Sequence, residues 1–175
     1  MASSDGCGIA SVEHLMSDDV FKCSRCGGSF EISLAQSSGH GILTWSAGCR
    51  CRTCGLQQEV DGIALPPPDL RSTLLADEGV HELMIAPGAG TISTLRQLQQ
   101  TLCLPDDVLA PLAGKIPGAV LSGTPYEMQW LAGVLGSRGI PASSAAKDPS
   151  GESDSVDLAD VVSEDWPDAW VPSDD

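Results

Sequence analysis

Cys23-Ser-Arg-Cys26-Gly27 recurs in this chain as Cys51-Arg-Thr-Cys54-Gly55. In each copy of this C-x-x-C-G pattern two thiols can converge on one cation, and the glycine permits the positive φ that such a tight turn requires. Two copies supply four thiolates, which is the ligand number of a closed tetrahedral site. The pattern therefore predicts a metal centre that fixes two turns of a small β-structure to each other.

The residues around this pattern predict a zinc ribbon over residues 19–63, because paired C-x-x-C turns at this spacing are typical of four-sulfur zinc sites. Phe30, Ile32 and Leu34 alternate with polar residues, which predicts a half-buried strand. A second strand over 42–46 and a third over 57–60 complete the expected antiparallel ribbon. A unit this small buries little apolar surface, so zinc is expected to supply much of its stability.

Cys49 leaves one alternative open at this site. The run Cys49-Arg50-Cys51 would allow Cys49 to replace Cys51 as a ligand, although the matched glycines favour Cys51 with Cys54. With either cysteine, a four-sulfur zinc site has no open coordination position for water or substrate. The expected site is structural, and the sequence shows no catalytic constellation elsewhere, so the protein is predicted not to be an enzyme.

The charge of the chain is unevenly distributed. The net charge is −15, and residues 148–175 contain 10 of the 24 acidic residues and none of the 9 basic ones. A chain of this charge does not attract nucleic acid as a whole. A local contact through Lys22, Arg25, Arg50 and Arg52 is the alternative, but these bases equally offset the negative charge of a four-thiolate centre and pair with nearby acids.

Cysteine use and hydropathy bear on the compartment. Seven cysteines, four of them in metal-type spacing, favour a reducing compartment over a disulfide framework. The first residues have neither the basic nor the apolar region of a signal peptide, and no apolar run approaches the roughly 20 residues of a membrane helix. We expect a cytoplasmic protein without a membrane segment, whose residues 1–18 form a flexible lead-in.

Beyond the ribbon the sequence predicts a proline-rich linker and a second compact domain. Pro66-Pro67-Pro68 favours an extended segment, so a linker is expected over 64–79. Residues 80–146 show strand and helix signals in the order β-α-α-β-α-β, including a capping box that begins at Thr124 and ends at Glu127. The predicted fold class is α+β: a small antiparallel zinc ribbon, a compact sandwich domain and a disordered acidic tail.

The second domain resembles a known family in the spacing of its apolar residues, prolines and glycines. These positions are Leu109, Leu112, Pro117, Val120, Gly123, Glu127, Leu131, Leu135 and Gly139. Their spacing is similar to that of the C-terminal domain of the bacterial ribosomal stalk protein, whose fold is related to that of the Clp protease adaptor. The resemblance implies the fold and a bias toward protein–protein binding. The stalk family recruits translational GTPases through a lysine-rich surface, where the corresponding helices here carry only Arg96 and Lys115.

Residues 147–175 form the acidic tail, which contains Trp166 and Trp170, two of the four tryptophans. The tail is either a solubilising extension or an anchor on a basic or grooved protein partner, with Val162, Trp166 and Trp170 as the contact residues. The sequence as a whole predicts a non-enzymatic adaptor, assembly factor or inhibitor that binds a protein. The alternative is a factor of the transcription or translation machinery whose ribbon touches nucleic acid.

Overall fold

The computed structural model describes residues 22–39, 41–150 and 153–162. This part of the chain has an α+β fold with one antiparallel three-stranded sheet and one mixed four-stranded sheet. The α+β class predicted from the sequence is confirmed. None of the helices in these three ranges is long and apolar enough to span a membrane.

The first sheet contains β1 (Phe30–Gly39), β2 (Ile42–Cys51) and β3 (Gln57–Ile63), in that spatial order. β1 pairs with β2 along its whole length, from Phe30 opposite Cys51 to Gly39 opposite Ile42. The β2 and β3 strands are therefore longer than the apolar alternation alone predicted. Because β2 ends at Cys51, which lies opposite Phe30, the second cysteine pair begins beside the first residue of β1.

Residues 81–146 form three of the helices and three of the four strands of the second sheet. The elements are β4 (His81–Ile85), α2 (Thr91–Leu102), α3 (Asp106–Ala113), β5 (Gly118–Gly123), α4 (Pro125–Ser137) and β6 (Ala142–Ala146). β4 lies between β5 and β6 and is antiparallel to both. The predicted capping box begins α4: the Thr124 hydroxyl accepts from the Glu127 N–H, and the Glu127 carboxylate accepts from the Thr124 N–H.

The prediction of an extended linker over 64–79 is wrong for most of that range, because Pro68–Glu78 forms helix α1. Pro68 lies in the first turn, where a helix needs no backbone N–H donor and the fixed φ of proline suits the helix. Leu70 and Leu74 are buried, with 5% and 4% of their surface exposed. The three prolines therefore end the ribbon and begin a helix.

The prediction of a disordered tail from residue 147 is wrong for residues 156–161. β7 (Val156–Asp157) pairs in parallel with β5, and the short helix α5 (Leu158–Val161) follows it. Leu158 is fully buried and Val161 is 7% exposed. Their apolar side chains complete the core beside β5. The free energy gained by burying them outweighs the tendency of the surrounding acidic sequence to stay unfolded.

The hairpin end of the first sheet packs on the second half of the chain. Leu43 and Ala64 are fully buried in the same apolar cluster as Leu121 of β5 and Leu131 of α4. The Trp130 indole N–H donates to the Gly41 carbonyl at 2.7 Å. The domain division at residue 64 stays a prediction, but the two sheets are in contact through a common core.

Candidate metal centre

The two C-x-x-C-G turns fold in the same way. In the first, the Gly27 N–H donates to the Cys23 carbonyl at 2.7 Å, and in the second the Gly55 N–H donates to the Cys51 carbonyl at 3.0 Å. Gly27 and Gly55 have φ values of +70° and +73°, the left-handed conformation expected of the glycine in each copy. The repeated sequence thus gives a repeated turn, and each turn presents its two sulfurs on one side.

A direct hydrogen bond brings the two turns together. The Arg52 N–H donates to the Ser29 carbonyl at 3.0 Å, which joins the second turn to the strand that leaves the first. The Cys51 N–H donates to the Leu56 carbonyl and the Cys23 N–H to the Gly28 carbonyl, both at 2.8 Å, so each turn is also closed at its base. These backbone hydrogen bonds therefore fix the two turns and their position relative to each other.

The Sγ atoms of Cys23, Cys26, Cys51 and Cys54 all lie within 4.8 Å of one another. The Cys23–Cys54 and Cys26–Cys51 sulfur pairs are 3.6 Å and 3.4 Å apart. A disulfide needs about 2.05 Å, whereas four sulfurs at about 2.3 Å from one zinc ion are about 3.8 Å apart. The spacing fits four thiolates around a single ion, so the residues predicted as ligands lie together as a metal site requires.

Two thiols of this cluster, those of Cys26 and Cys51, do not ionise independently. The backbone N–H of Cys54 hydrogen-bonds the Cys51 sulfur and is the main reason that the pKa of Cys51 is lowered to about 6. The backbone N–H of Gly28 favours the Cys26 thiolate, but hydrogen bonding to Cys51, burial, and hydrogen bonding to Cys54 and Cys23 together outweigh it and raise the pKa of Cys26 to about 12. The Cys51 thiolate forms readily and Cys26 resists a second negative charge beside it, so a cation is needed to hold both as thiolates.

Cys49 is not among the four clustered cysteines. Its sulfur is 3.9 Å from the Gln58 carboxamide oxygen, and it lies two residues before Cys51 on β2, opposite Ile32. Among the described residues, the group of cysteines that could hold an ion contains Cys51 and excludes Cys49. The arrangement therefore favours the ligand set that the matched glycines indicated.

The basic residues predicted near the site are all exposed. Lys22 precedes the first turn, Arg25 lies within it, and Arg50 and Arg52 flank Cys51. Arg50 lies opposite Glu31 on β1, and the Arg52 guanidinium is 3.9 Å from the Glu31 carboxylate with both side chains about two-thirds exposed. An ion pair of this kind contributes little stability. Part of the local positive charge is thus matched by Glu31.

Of the three residues predicted as tail contacts, the structure describes Val162 alone. Val162 is half-buried and packs against the main apolar cluster. Trp166 and Trp170 lie outside the described residues. The contact set predicted for the tail stays a prediction, and the part of the tail that packs on the core is residues 156–162.

Sequence reasoning missed a buried polar network beside the hairpin end of the first sheet. Arg71 of α1 binds the Glu127 carboxylate through two contacts of 2.9 Å, and its Nη2 atom is also 2.8 Å from Asp157. Burial lowers the pKa of Arg71, but the hydrogen bonds to Glu127 and Asp157 outweigh it and raise that pKa above its usual value. The capping box signalled Glu127, whereas no local pattern signalled Arg71, which is far away in the sequence.

Comparison of the chain with protein-family models, with curated proteins and with solved structures gave no match. The fold and the site define an α+β protein whose three-stranded sheet carries a four-cysteine cluster suited to a metal ion. The resemblance of residues 80–146 to the ribosomal stalk domain stays a prediction.

Proposed function

We propose that this protein is a non-enzymatic zinc-binding module for protein–protein interaction, acting as an adaptor, an assembly factor or an inhibitor. The observation that carries the proposal is the cysteine cluster, since four sulfurs complete the coordination of zinc and leave no position for a reacting molecule. Zinc then holds in place the end of the three-stranded sheet that carries the two C-x-x-C-G turns, which we call the knuckle end. Cysteine thiolates are the ligands that favour zinc over harder divalent ions.

The surface that zinc would support is apolar on one face. Ile32 is 43% exposed on β1, and it lies on the same face of the sheet as Cys49 and the cysteine ligand Cys51. Contiguous exposed apolar patches mark protein interaction sites, and Ile32 adjoins the half-buried Leu34 on the same face of the sheet. A protein partner that buries Ile32 would use a surface whose shape depends on the metal centre.

The second half of the chain supports the same class of function. Ile92 at the start of α2 is 75% exposed, the largest exposed fraction among the exposed large apolar side chains of the described residues. The resemblance to the stalk domain implies protein binding by this half. We propose it as a second contact surface, without assigning the partner of the stalk family to this chain.

The test is photocrosslinking of the full-length protein in its native cells. A benzophenone amino acid in place of Ile32 is expected to form a covalent product with a partner protein that mass spectrometry can identify. The matched control is the same amino acid in place of Ser33, which is exposed on the opposite face of β1. Equal products at both positions, or none at Ile32, would contradict the proposal.

A nucleic-acid-associated factor is the second candidate, favoured by the exposure of Lys22, Arg25, Arg50 and Arg52 around the metal centre. Fluorescence anisotropy with labelled oligonucleotides tests it. Binding through these bases should weaken steeply as salt rises and should be lost in the double variant Lys22→Gln/Arg25→Gln, while Arg96→Gln on the far half retains it. No binding at low salt would exclude this candidate.

A further inference from the structure

The four cysteines of the metal centre differ in how far each is open to solvent. Cys23 and Cys51 are 2% and 1% exposed and Cys54 is half-buried, whereas Cys26 is exposed. Oxidation of a cysteine requires thiolate character and access for the oxidant, and a metal ion keeps its cysteine ligands deprotonated. Of the four ligands, Cys26 is therefore the one that a dissolved oxidant reaches first.

The two turns also concentrate positive charge. Four of the nine basic residues of the chain adjoin the cluster cysteines in sequence, and all four are exposed: Lys22, Arg25, Arg50 and Arg52. Arg25 directly precedes Cys26, and Glu31 matches part of the charge at Arg52 from 3.9 Å. Reactive cysteines lie in partly exposed, electropositive surroundings, where cations also offset the negative charge that develops on a leaving oxygen. The first turn provides such surroundings for Cys26.

A second sulfur lies close enough to Cys26 to complete a disulfide. The Cys26 and Cys51 sulfurs are 3.4 Å apart, so they would have to approach by about 1.4 Å to reach the disulfide bond length of about 2.05 Å. The Cys23 and Cys54 sulfurs form a similar pair at 3.6 Å. Each pair joins one turn to the other, so a disulfide in either pair would link the two turns covalently.

We propose that the metal centre is also a peroxide-sensitive switch, in which Cys26 is oxidised first and Cys51 completes the disulfide. The Cys26 thiolate attacks one oxygen of a hydroperoxide and the O–O bond breaks, which gives the Cys26 sulfenic acid and an alkoxide, or hydroxide from hydrogen peroxide. The Cys51 thiolate then attacks the Cys26 sulfur, forms the S–S bond and displaces hydroxide. The two thiolates lose two electrons, the peroxide gains them, and both released anions take a proton from water.

The switch acts by removing two of the four ligands. Cys23 and Cys54 alone hold zinc much less tightly than four thiolates do, so the ion is released. Ile32 lies opposite Cys49, two residues from Cys51 on β2, and the surface proposed to bind a partner therefore adjoins the part of the sheet that changes. The inference rests on the proposed function, because it names the regulation of the same metal centre. A thiol reductant with zinc should restore the parent state.

The experiment treats the zinc-loaded full-length protein with hydrogen peroxide and follows the released zinc with a chromogenic indicator. Disulfides are mapped in parallel by mass spectrometry without reduction. Trypsin cuts after Lys22, Arg25, Arg50 and Arg52, so the four ligands fall into four different peptides, and fragmentation separates Cys26 from Cys49 in the peptide that they share. The Cys26–Cys51 disulfide is expected to form at the rate at which zinc is released, and a thiol reductant should reverse both changes.

Histidine variants test which sulfur is attacked, since three thiolates and one imidazole still bind zinc. Cys26→His removes the exposed thiolate and should release zinc about tenfold more slowly than the parent. Cys54→His, at the matching place in the second turn, keeps the Cys26–Cys51 pair and should release zinc at least as fast as the parent. Cys103→Ser removes an exposed cysteine outside the cluster and should leave the rate unchanged.

A disulfide within one turn, such as Cys23–Cys26, would overturn the proposal, as would zinc that stays bound in excess peroxide or a Cys26→His variant that releases zinc as fast as the parent. If a histidine variant fails to bind zinc, the disulfide map of the parent still decides. Photocrosslinking at Ile32 in the reduced protein does not involve peroxide, so failure of the switch and failure of the proposed function are distinguishable. In the oxidised protein the crosslink at Ile32 should weaken, and a thiol reductant with zinc should restore it.

Discussion

At the scale of the residue, each cysteine of the cluster has a distinct environment although all four serve one site. Cys23 and Cys51 are almost completely buried, with 2% and 1% exposed, whereas Cys26 is exposed. The sequence predicted this ligand set because two matched turns are a local pattern that needs no tertiary information. It could not choose between Cys49 and Cys51 by spacing alone, and the end of β2 at Cys51 supplies the missing distinction.

The first prediction concerns these cysteines. The purified protein should contain one zinc ion per chain, and serine in place of Cys23, Cys26, Cys51 or Cys54 should remove it, since three thiolates hold zinc much less tightly than four. Cys49→Ser is the matched control and should retain zinc. Elemental analysis of the purified variants is the measurement. Zinc loss in Cys49→Ser with retention in Cys51→Ser would show that the ligand set is wrong.

The second prediction concerns the buried ion pair of Arg71 and Glu127, whose side chains are 7% and 0% exposed. Arg71→Ala leaves the Glu127 carboxylate buried without its cation, so it should lower the free energy of unfolding by about 3–5 kcal/mol. Arg52→Ala removes the exposed pair with Glu31 and should change it by less than about 1 kcal/mol. Urea unfolding of both variants makes the comparison, and equal effects would contradict it.

At the scale of the element, the sequence predicted those helices and strands whose signals are local. The capping box from Thr124 to Glu127 predicted the start of α4, and its geometry is present. Helix α1 was missed because three prolines outweighed the apolar spacing of Leu70 and Leu74, although a proline in the first turn favours a helix. β7 and α5 were missed because β7 is defined by its pairing with β5, and a local sequence pattern does not show which strand a segment will pair with.

The third prediction tests the corrected assignment of residues 68–78. Leu74→Ala should lower the free energy of unfolding by about 2–5 kcal/mol, because it leaves a cavity under α1. Asp77→Ala on the same helix is the control, since Asp77 is exposed and should change little. Thermal unfolding of the two variants is the measurement. A Leu74→Ala variant as stable as the parent would indicate that this segment does not pack on the core.

At the scale of the whole molecule, the first sheet is held at both ends by different means. At the knuckle end the cysteine cluster joins the two turns, and at the hairpin end Leu43, Gly41 and Gln36 contact the core and α4. The small size of the ribbon predicted that zinc would stabilise it, but the second attachment depends on residues far apart in sequence. The pairs Gln36–Thr124 and Gly41–Trp130 are 88 and 89 residues apart, so no reading of local pattern could give them.

The last prediction follows from this double attachment. If zinc alone stabilised the sheet, a chelator should remove amide-exchange protection from all of residues 22–63. Because the hairpin end is buried against α4, we expect chelation to abolish protection at residues 23–32 and 49–58 and to leave 36–44 protected together with α4. Leu43→Ala in the zinc-loaded protein should do the reverse, exposing the hairpin end while the four thiolates hold the knuckle end. Hydrogen exchange read by mass spectrometry separates these peptides. Loss of protection along the entire sheet, with α4 unaffected, would contradict this expectation. It would mean that the ribbon and the second half of the chain are stabilised separately, and that the contacts of Gln36 and Gly41 contribute little to the stability of the sheet.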